Sequence, residues 1–243
     1  FLLAISLPQG DRTWVESFAR GMGRLAQAAG IALVGGDTTS GPLSITVTAA
    51  GVVSPGRALR RSGARPGDRV LISSGTGLAA RALQQLQAGN EPDIACRQAL
   101  DFPRPRLELG RSLTGLASAC IDISDGLAAD LEHILKQSGV GAELELGSFP
   151  VPGSFSGLAA EERWALQLSG GDDYELCFTV PAERVDEAIG LGKSLELEIS
   201  DIGVITSSDG LALKRPGGGA FELDGAGYCH FSGPKQGRGQ GLG

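Results

Sequence analysis

Acidic residues stand beside glycines at three places in this sequence, and carboxylates in such turns are common ligands of hard cations such as Mg²⁺. The three segments are residues 35–39 (GGDTT), 122–126 (DISDG) and 169–176 (SGGDDYEL). Glycine lets backbone amides approach a ligand closely, so each segment could hold a metal ion or a phosphate group. Each could also be an ordinary turn in which Asp or Thr bonds its own backbone.

The 122–126 segment gives the strongest signal, because it joins an apolar strand to a helix. Strand alternation points Asp122 and Ser124 to the same side. A helix cap would explain either Ser124 or Asp125, but it does not explain an acid at the end of an apolar strand. Carboxylates this close repel one another unless a cation lies between them, and a helix N-terminus suits a phosphate. We therefore favour a functional role for this segment.

The other two segments give weaker signals. Asp37 follows a predicted apolar strand (31–34) and offers a hard oxygen to a metal ion. The 169–176 segment places three acids in four residues before a predicted strand (174–180). If that segment is only a solvated turn, Glu175 lies on an exposed strand face.

A local cluster of arginines completes the candidate groups: Arg57, Arg60, Arg61, Arg65 and Arg69. One of them could hold a nucleotide phosphate through a bidentate contact, although most suit a solvated loop. The sequence has no G-x-x-x-x-G-K-[ST] loop, no H-R-D or D-F-G motif and no G-x-S-x-G elbow. Acids, glycine turns and an arginine indicate direct phosphoryl transfer, in which metals and positioning do the work and no side chain acts as a covalent catalyst.

Apolar periodicity predicts an α/β (α+β) chain of two domains. The predicted strands are 1–7, 31–34, 43–53, 69–73, 119–123, 143–146, 174–180 and 197–205, with a final hairpin at 211–214 and 220–223. The predicted helices are 13–29, 78–86, 94–100, 105–116, 126–137, 161–168 and 182–189. Pro55-Gly56 predicts a boundary between a first domain (1–56) and a mixed α/β domain (57–231), and the glycine-rich tail (232–243) is expected to be disordered.

Composition excludes several classes of protein. The formal net charge of −7 is opposite in sign to that of a nucleic-acid-binding domain. No apolar run is long enough for a membrane span, and no secretory signal is visible. Because the four cysteines form no C-x-x-C pair, we expect free thiols, buried at Cys120 and Cys177, and a cytoplasmic protein.

The order of the segments resembles that of the thiamine-monophosphate kinases. GGDTT, RSGARPGD, DISDG, SGGDDYEL and a closing GYCHF follow one another from about residue 2 to residue 231. Each motif is weak alone, but the ordered set is highly specific. The family shares its fold group with aminoimidazole ribonucleotide synthetase, selenophosphate synthetase and a hydrogenase maturation protein. The resemblance therefore implies that two-domain architecture, with a partial N-terminal domain that binds ATP and Mg²⁺ and a mixed α/β C-terminal domain.

The resemblance implies transfer of the γ-phosphoryl group of ATP to thiamine monophosphate, with several Mg²⁺ ions, giving thiamine diphosphate. By motif, it assigns ATP binding to Gly36, Asp37, Arg61 and Ser124, metal binding to Asp37, Asp122 and Asp125, and binding of the thiamine moiety to Asp172 and Tyr228. An acid and an aromatic ring suit a cationic heteroaromatic substrate. The resemblance also implies a homodimer formed through strands of the first domain.

Four departures from the family pattern bear on these expectations. The family's N-terminal acids and part of its ATP site precede the position of Phe1, so we expect a fragment, or an inactive protein if the chain begins there. The 74–78 loop (SGTGL) is shorter than the family's Gly-Thr loop, which raises the alternative that a loop segment is absent at the junction of Gly75 and Gly77. Asp172 stands where relatives often have Glu, and Cys229 replaces a frequent acid.

Two other functions are compatible with parts of the sequence. One is a synthetase of the same fold group that activates an amide or selenide with ATP. The other is a non-catalytic module that binds a nucleotide or a metal. The GGDDYEL and GYCHF segments favour the kinase over the synthetase.

Overall fold

The computed structural model describes residues 1–223, and its contacts divide the chain into two compact units, Phe1–Gly56 and a second that begins at Arg57. Tyr228, Cys229 and the predicted disordered tail lie outside the described residues. None of the described helices is long and apolar enough to cross a bilayer.

The first unit is a three-stranded sheet with one helix. Strands β1 (Leu2–Leu7), β2 (Gly35–Ser40) and β3 (Ser44–Thr48) lie in the order β2-β1-β3, with β1 parallel to β2 and antiparallel to β3. Helix α1 (Arg12–Ala29) begins where Asp11 accepts hydrogen bonds from two backbone amides, and it ends at Gly30 in the left-handed conformation (φ 67°). Both are preferred end signals for a helix.

The GGDTT segment is itself a strand, so the prediction of a turn after a strand at 31–34 was wrong. Residues 31–34 have no regular structure, and GGDTT forms most of β2 beside β1. The pairing depends on Gly36 (φ 147°), because a Cβ there would lie 1.8 Å from the carbonyl oxygen of Leu3. The next strand is also shorter than the predicted 43–53, since only Ser44–Thr48 pairs with β1.

As far as residue 223, the second unit is a six-stranded sheet flanked by helices, as the prediction of a mixed α/β domain requires. Its strands are β4 (Arg69–Ser73), β5 (Ala119–Ile123), β6 (Gly141–Glu145), β7 (Glu175–Val180), β8 (Ile199–Thr206) and β9 (Gly210–Lys214), in the order β5-β7-β4-β8-β6-β9. Its helices are α2 (Leu78–Gln87), α3 (Ile94–Asp101), α4 (Leu107–Ser112), α5 (Leu127–Ser138), α6 (Ala160–Ser169) and α7 (Val185–Ser194). All strand pairs are antiparallel except β6 and β9.

Helices cover both faces of this sheet. One core contains Leu131 of α5 and Trp164 of α6, and the other contains Leu109 of α4 and Ala188 of α7. Strand β7 contributes Cys177 to the first core and Phe178 to the second, so it is covered on both sides. An acid in this strand therefore needs a partner, because burying an unpaired charge is costly.

The antiparallel pairing brings three chain segments to one edge of the sheet. Strands β4 and β5 each run antiparallel to β7, so their carboxyl ends and the amino end of β7 meet at the same edge. The register pairs Ile123 with Glu175 and Ile72 with Cys177. The segments that follow β4 and β5 and the one that precedes β7 are therefore neighbours.

Two predicted elements of the second unit differ from the structure near this edge. The predicted helix 105–116 is only Leu107–Ser112, because Pro103 and Pro105 keep the preceding chain extended and the helix begins after Arg106. The predicted strand 174–180 begins one residue later, because Tyr174 has a left-handed backbone conformation (φ 52°).

The predicted final hairpin is only partly present. Its first strand is β9, which pairs with β6 in parallel. The residues expected to form the second strand contribute a single antiparallel bridge between Lys214 and Ala220. Helix 182–189 is also divided, into a 3₁₀ turn (Ala182–Arg184) followed by α7.

Candidate functional site

Three loops of the second unit are joined by hydrogen bonds at the shared sheet edge. They are residues 74–77 after β4, 124–126 after β5 and 170–174 before β7. The backbone amides of Asp172 and Tyr174 donate to the carbonyls of Ser124 (2.9 Å) and Ile123 (2.8 Å). Both carboxylate oxygens of Asp173 accept from the amide of Gly77 at 2.9 Å. The 170–174 loop therefore bridges the other two.

Glycines make these contacts possible. A Cβ at Gly171 would lie 2.7 Å from the carbonyl oxygen of Ser124, and one at Gly126 would lie 2.9 Å from the backbone of Ser169. At Gly77 (φ 89°) a Cβ would lie 2.8 Å from Leu166. Since real Cβ atoms do not tolerate such distances, the glycines at this edge allow the loops to pack closely on one another and on α6. That role is sufficient to require them, with or without a ligand.

The 170–174 loop is held in an unfavourable backbone conformation. Asp172 (φ 65°) and Tyr174 (φ 52°) are both left-handed, although neither is glycine. Such residues cost on the order of 1–3 kcal/mol each and persist only where their surroundings fix them. Here the hydroxyl of Tyr174 donates to Oδ1 of Asp172 at 3.1 Å, across the intervening residue. The carboxylate of Asp172 itself stays exposed.

Asp130 holds the turn that follows β5. It lies in the first turn of α5 and is 3% exposed, and its Oδ2 accepts from the amides of Ser124 (2.9 Å) and Asp125 (3.0 Å). Burial raises its pKa, and the hydrogen bonds from these two amides offset only part of that rise. The expected cap by Ser124 or Asp125 is absent, because the N-cap position of α5 is Gly126, which has no side chain to accept a hydrogen bond. Instead, Asp130 of α5 fixes the turn by accepting hydrogen bonds from its backbone amides.

Glu175 is buried, so the sequence interpretation that left it on an exposed strand face was wrong. Its carboxylate accepts from Nε (2.7 Å) and Nη2 (2.5 Å) of Arg106 and from the hydroxyl of Ser73 (2.6 Å). Ser73 in turn accepts from the amide of Leu176 at 2.9 Å. The first residue of β7 is thereby joined to the end of β4 and to the chain before α4.

Three other carboxylates at this edge face solvent. Asp122, Asp125 and Asp172 are exposed, and none forms a salt bridge within the described part of the chain. Burial raises the pKa of the Tyr174 phenol, the hydrogen bond to Asp172 raises it further, and so do the charges of all three acids. Because all three carboxylates act on one phenol, together they form a concentrated negative patch.

The structure brings some predicted site residues together and places others elsewhere. Asp122, Ser124, Asp125 and Asp172 lie at the shared edge. Gly36 and Asp37 belong to β2 of the first unit, where Oδ1 of Asp37 accepts from the amide of Thr38 at 2.8 Å. In residues 1–223, no group of three or more His, Cys, Asp or Glu side chains is placed to hold a metal ion.

Of the two remaining predicted residues, one lies near the start of β5 and the other is outside the described residues. Arg61 is exposed, and the carbonyl of its neighbour Arg60 accepts from the amide of Cys120 at 2.8 Å, near the start of β5. Tyr228 falls outside the described residues. Thr76 shows that the short 74–77 loop is well packed, because it is buried and its hydroxyl donates to the carbonyl of Gln167 at 2.8 Å.

Sequence reasoning missed Arg106 and Asp130. Arg106 ends a Pro-Arg-Pro-Arg segment, and the two prolines could have predicted a restricted backbone that presents the arginine. Asp130 interrupts the apolar face of a predicted helix, five residues after Asp125, and a buried acid there needs hydrogen-bond donors. The described cysteines are free, as expected: Cys177 is buried, and burial raises the pKa of the partly buried Cys120 to about 12.

Comparisons with known proteins define the class first. Residues 1–53 match the family described as AIR synthase related protein, N-terminal domain, and residues 65–215 match the corresponding C-terminal domain. Together with the two units and the mixed sheet, these matches establish the AIR synthase-related fold.

The chain belongs to the thiamine-monophosphate kinase family within that class. It is 41% identical over 246 residues to thiamine-monophosphate kinase of Escherichia coli (strain K12), covering 96% of this chain and 73% of that protein. It is similar to the crystal structure of thiamine-monophosphate kinase from Stenotrophomonas maltophilia K279a, with a TM-score of 0.83, 41% identity and coverage of 87% and 70% of the two chains. AaThiL complexed with AMPPCP and TMP gives a TM-score of 0.76 at 26% identity, covering 95% of this chain and 72% of that one.

The partly buried carboxylate of Asp173 predicts a specific pH dependence of stability. Burial raises its pKa well above the usual value, the Gly77 amide opposes this, and the charges of Glu175 and Asp172 add to it. Between the unfolded-state pKa of about 3.9 and the higher folded-state pKa, the folded protein binds the extra proton. The free energy of unfolding therefore falls as pH rises through that window, by up to about 1.4 kcal/mol per pH unit from this group.

Asp173→Asn should remove this contribution. We expect the free energy of unfolding of the variant, measured by urea titration from about pH 4 to about pH 7, to decline less steeply than that of the unmodified protein. Asp209→Asn, at an exposed turn position, controls for the loss of one carboxylate. Parallel pH profiles for Asp173→Asn and the unmodified protein would contradict the assignment.

Proposed function

We propose that this protein is a kinase that transfers the γ-phosphoryl group of ATP directly to thiamine monophosphate, giving thiamine diphosphate and ADP. The observation that carries the proposal is the patch of Asp122, Asp125 and Asp172 at one sheet edge, in a chain 41% identical to a thiamine-monophosphate kinase. Two phosphate-bearing anions do not approach each other without compensating charge. Acids at glycine-bounded turns supply that charge indirectly, by binding cations.

The donor set fits Mg²⁺. Asp122 and Asp125 present exposed carboxylate oxygens, the ligands that Mg²⁺ takes together with phosphate oxygens and water. They would hold Mg²⁺ in the second unit, and Asp37 would do so in the first. When bound, Mg²⁺ neutralises charge on the transferred phosphoryl group. We expect several ions, since one cannot neutralise both substrates.

The residues of this chain bind and orient ATP. Ser124 lies in the turn fixed by Asp130, so its position relative to Asp122 and Asp125 is set before ATP arrives. Gly36 and Asp37 would contact ATP from β2, and Arg61 would bind its phosphates through a bidentate contact. No side chain is needed as a covalent intermediate, because positioning and charge stabilisation account for direct transfer.

The acceptor would be held by Asp172 and Tyr228. The exposed carboxylate of Asp172 belongs to the same acidic patch as Asp122 and Asp125, and its charge suits the cationic ring of thiamine. An aromatic ring at Tyr228 would add a cation–π contact. The structure of AaThiL complexed with AMPPCP and TMP supports binding of both ligand classes by this family.

We also propose a homodimer in the cytoplasm. Strand β3 of the first unit exposes Ile45 (42%) and Val47 (54%), which suit an interface between copies. Free thiols at Cys96, Cys120 and Cys177 suit a reducing compartment. The acidic net charge of −7 gives no support for nucleic acid as a partner.

The direct test is a product assay. Full-length protein incubated with ATP, Mg²⁺ and thiamine monophosphate should form thiamine diphosphate and ADP in equal amounts, detected by chromatography. Omission of Mg²⁺ should abolish the product. ATP turnover with another acceptor, and no thiamine diphosphate, would reject the proposal in favour of a synthetase of the same fold group.

Asp122→Asn should abolish turnover through loss of metal. The amide keeps the size of the side chain but removes the charge, so we expect kcat to fall by about a hundredfold or more, with a raised Mg²⁺ requirement. Asp186→Asn, at an exposed position in the first turn of α7, is the matched control. Unchanged kcat and unchanged Mg²⁺ dependence in Asp122→Asn would reject the metal role.

Asp172→Ala should mainly weaken binding of thiamine monophosphate. Loss of one charged contact predicts a rise in KM for the acceptor of roughly ten- to a hundredfold, with little change in KM for ATP. Steady-state kinetics with each substrate varied in turn separates the two values. An effect confined to ATP affinity would count against this role.

A further inference from the structure

A largely buried ion pair lies at the point where the 170–174 loop enters β7. Arg106 and Glu175 form a bidentate contact, with side chains only 17% and 10% exposed, and Ser73 donates its hydroxyl to the same carboxylate. Arg106 Nη2 also approaches the hydroxyl of Ser74 at 3.5 Å. We call Arg106, Glu175 and Ser73 the clamp. Charge-assisted, bidentate bonds of this kind fix geometry more strictly than single hydrogen bonds do.

The chain presents Arg106 from a rigid segment. Pro103 and Pro105 precede it and restrict the backbone on both sides of Arg104. Helix α4 follows at once, and its Leu109 is buried in the core at 1% exposure. The guanidinium is thus anchored independently of the loop that it contacts through Glu175.

The clamp fixes Glu175, the residue that directly follows the strained loop. Glu175 is the first residue of β7, directly after Tyr174, and lies three residues from Asp172. Asp172, Asp173 and Glu175 place three carboxylates in four residues, and Arg106 is the cation that contacts one of them. Without that cation, repulsion would push the start of β7 and the loop apart.

We propose that Arg106 and Glu175 are positioning residues for acceptor binding. By fixing the first residue of β7, the clamp holds the backbone of Asp172 in its left-handed conformation. This inference rests on the proposed function, since it assigns Asp172 to the acceptor. It adds two residues that touch neither ATP nor acceptor but set the acceptor KM.

The chain contains a matched control pair. Arg69 and Asp201 form a second bidentate contact, with Nε to Oδ2 and Nη2 to Oδ1 both at 2.9 Å. Arg69 begins β4 and Ser73 ends it, so this pair lies at the opposite end of the same strand. A purely stabilising role predicts similar consequences from disrupting either pair.

The kinetic test compares Arg106→Lys and Glu175→Gln with Arg69→Lys. We expect both clamp variants to raise the acceptor KM about tenfold, with KM for ATP changed less than about twofold, while Arg69→Lys leaves both values unchanged. Ser73→Ala, a milder change, should raise the acceptor KM about threefold and covers the case in which a charge variant fails to fold. Equal effects on both substrates, or the same rise in Arg69→Lys, would overturn the proposal.

A double variant tests whether the clamp acts through Asp172. In the Asp172→Ala background, Arg106→Lys should cause no further rise in the acceptor KM, because the group that it positions is gone. A second rise of the same tenfold size would mean that Arg106 acts on the acceptor by another route.

Hydrogen exchange gives a readout that does not depend on the enzymatic activity. The amides of Asp172 and Tyr174, bonded to Ser124 and Ile123, should exchange at least about tenfold faster in Glu175→Gln than in Arg69→Lys. Unchanged exchange would overturn the clamp even if the kinase assay succeeds. Faster exchange in a protein that makes no thiamine diphosphate would reject the proposed function and leave the loop restraint intact.

Discussion

The site depends on two backbone hydrogen bonds that join the 170–174 loop to the end of β5. Through them the amides of Asp172 and Tyr174 reach the carbonyls of Ser124 and Ile123, so the ladder between β5 and β7 continues into the loops. Acids from segments almost fifty positions apart in sequence are thereby held side by side. Their mutual repulsion opposes this arrangement, and the strained backbone at Asp172 and Tyr174 adds to the cost.

The acidic residues at this edge divide into two groups with different surroundings. Asp130, Asp173 and Glu175 are partly or fully buried, and each accepts hydrogen bonds from backbone amides or from Arg106. They hold the three loops in place. Asp122, Asp125 and Asp172 are exposed, and Asp172 accepts only the Tyr174 hydroxyl within the described residues. The first group therefore fixes the loops, whereas the second group stays exposed to solvent at the sheet edge.

Local sequence patterns predicted what depends on neighbours in the chain. Strands Arg69–Ser73 and Ala119–Ile123 have the predicted bounds, and the Asp122–Gly126 turn lies where a strand meets a helix. The errors depend on distant contacts. Burial of Glu175 requires Arg106, and strand formation at GGDTT requires the carbonyl of Leu3 to approach Gly36. A fold defines the positions of side chains and not the ligands that they bind, so the binding roles stay predictions. They concern Gly36, Asp37, Arg61, Ser124, Asp122, Asp125, Asp172 and Tyr228.

The exposure of the Asp172 side chain has a consequence for how this enzyme family can diversify. The loop is held by the backbone of residue 172 and by its buried neighbours. Among residues 1–223, the carboxylate of Asp172 accepts a hydrogen bond only from the hydroxyl of Tyr174. Mutation can therefore change the side chain that position 172 exposes without dismantling the loop, provided that the new residue tolerates a left-handed backbone. Asn and Gly satisfy that condition, whereas β-branched residues do not. The side chain at position 172 and the turn at Asp125 can therefore change separately, although the two segments are adjacent in space.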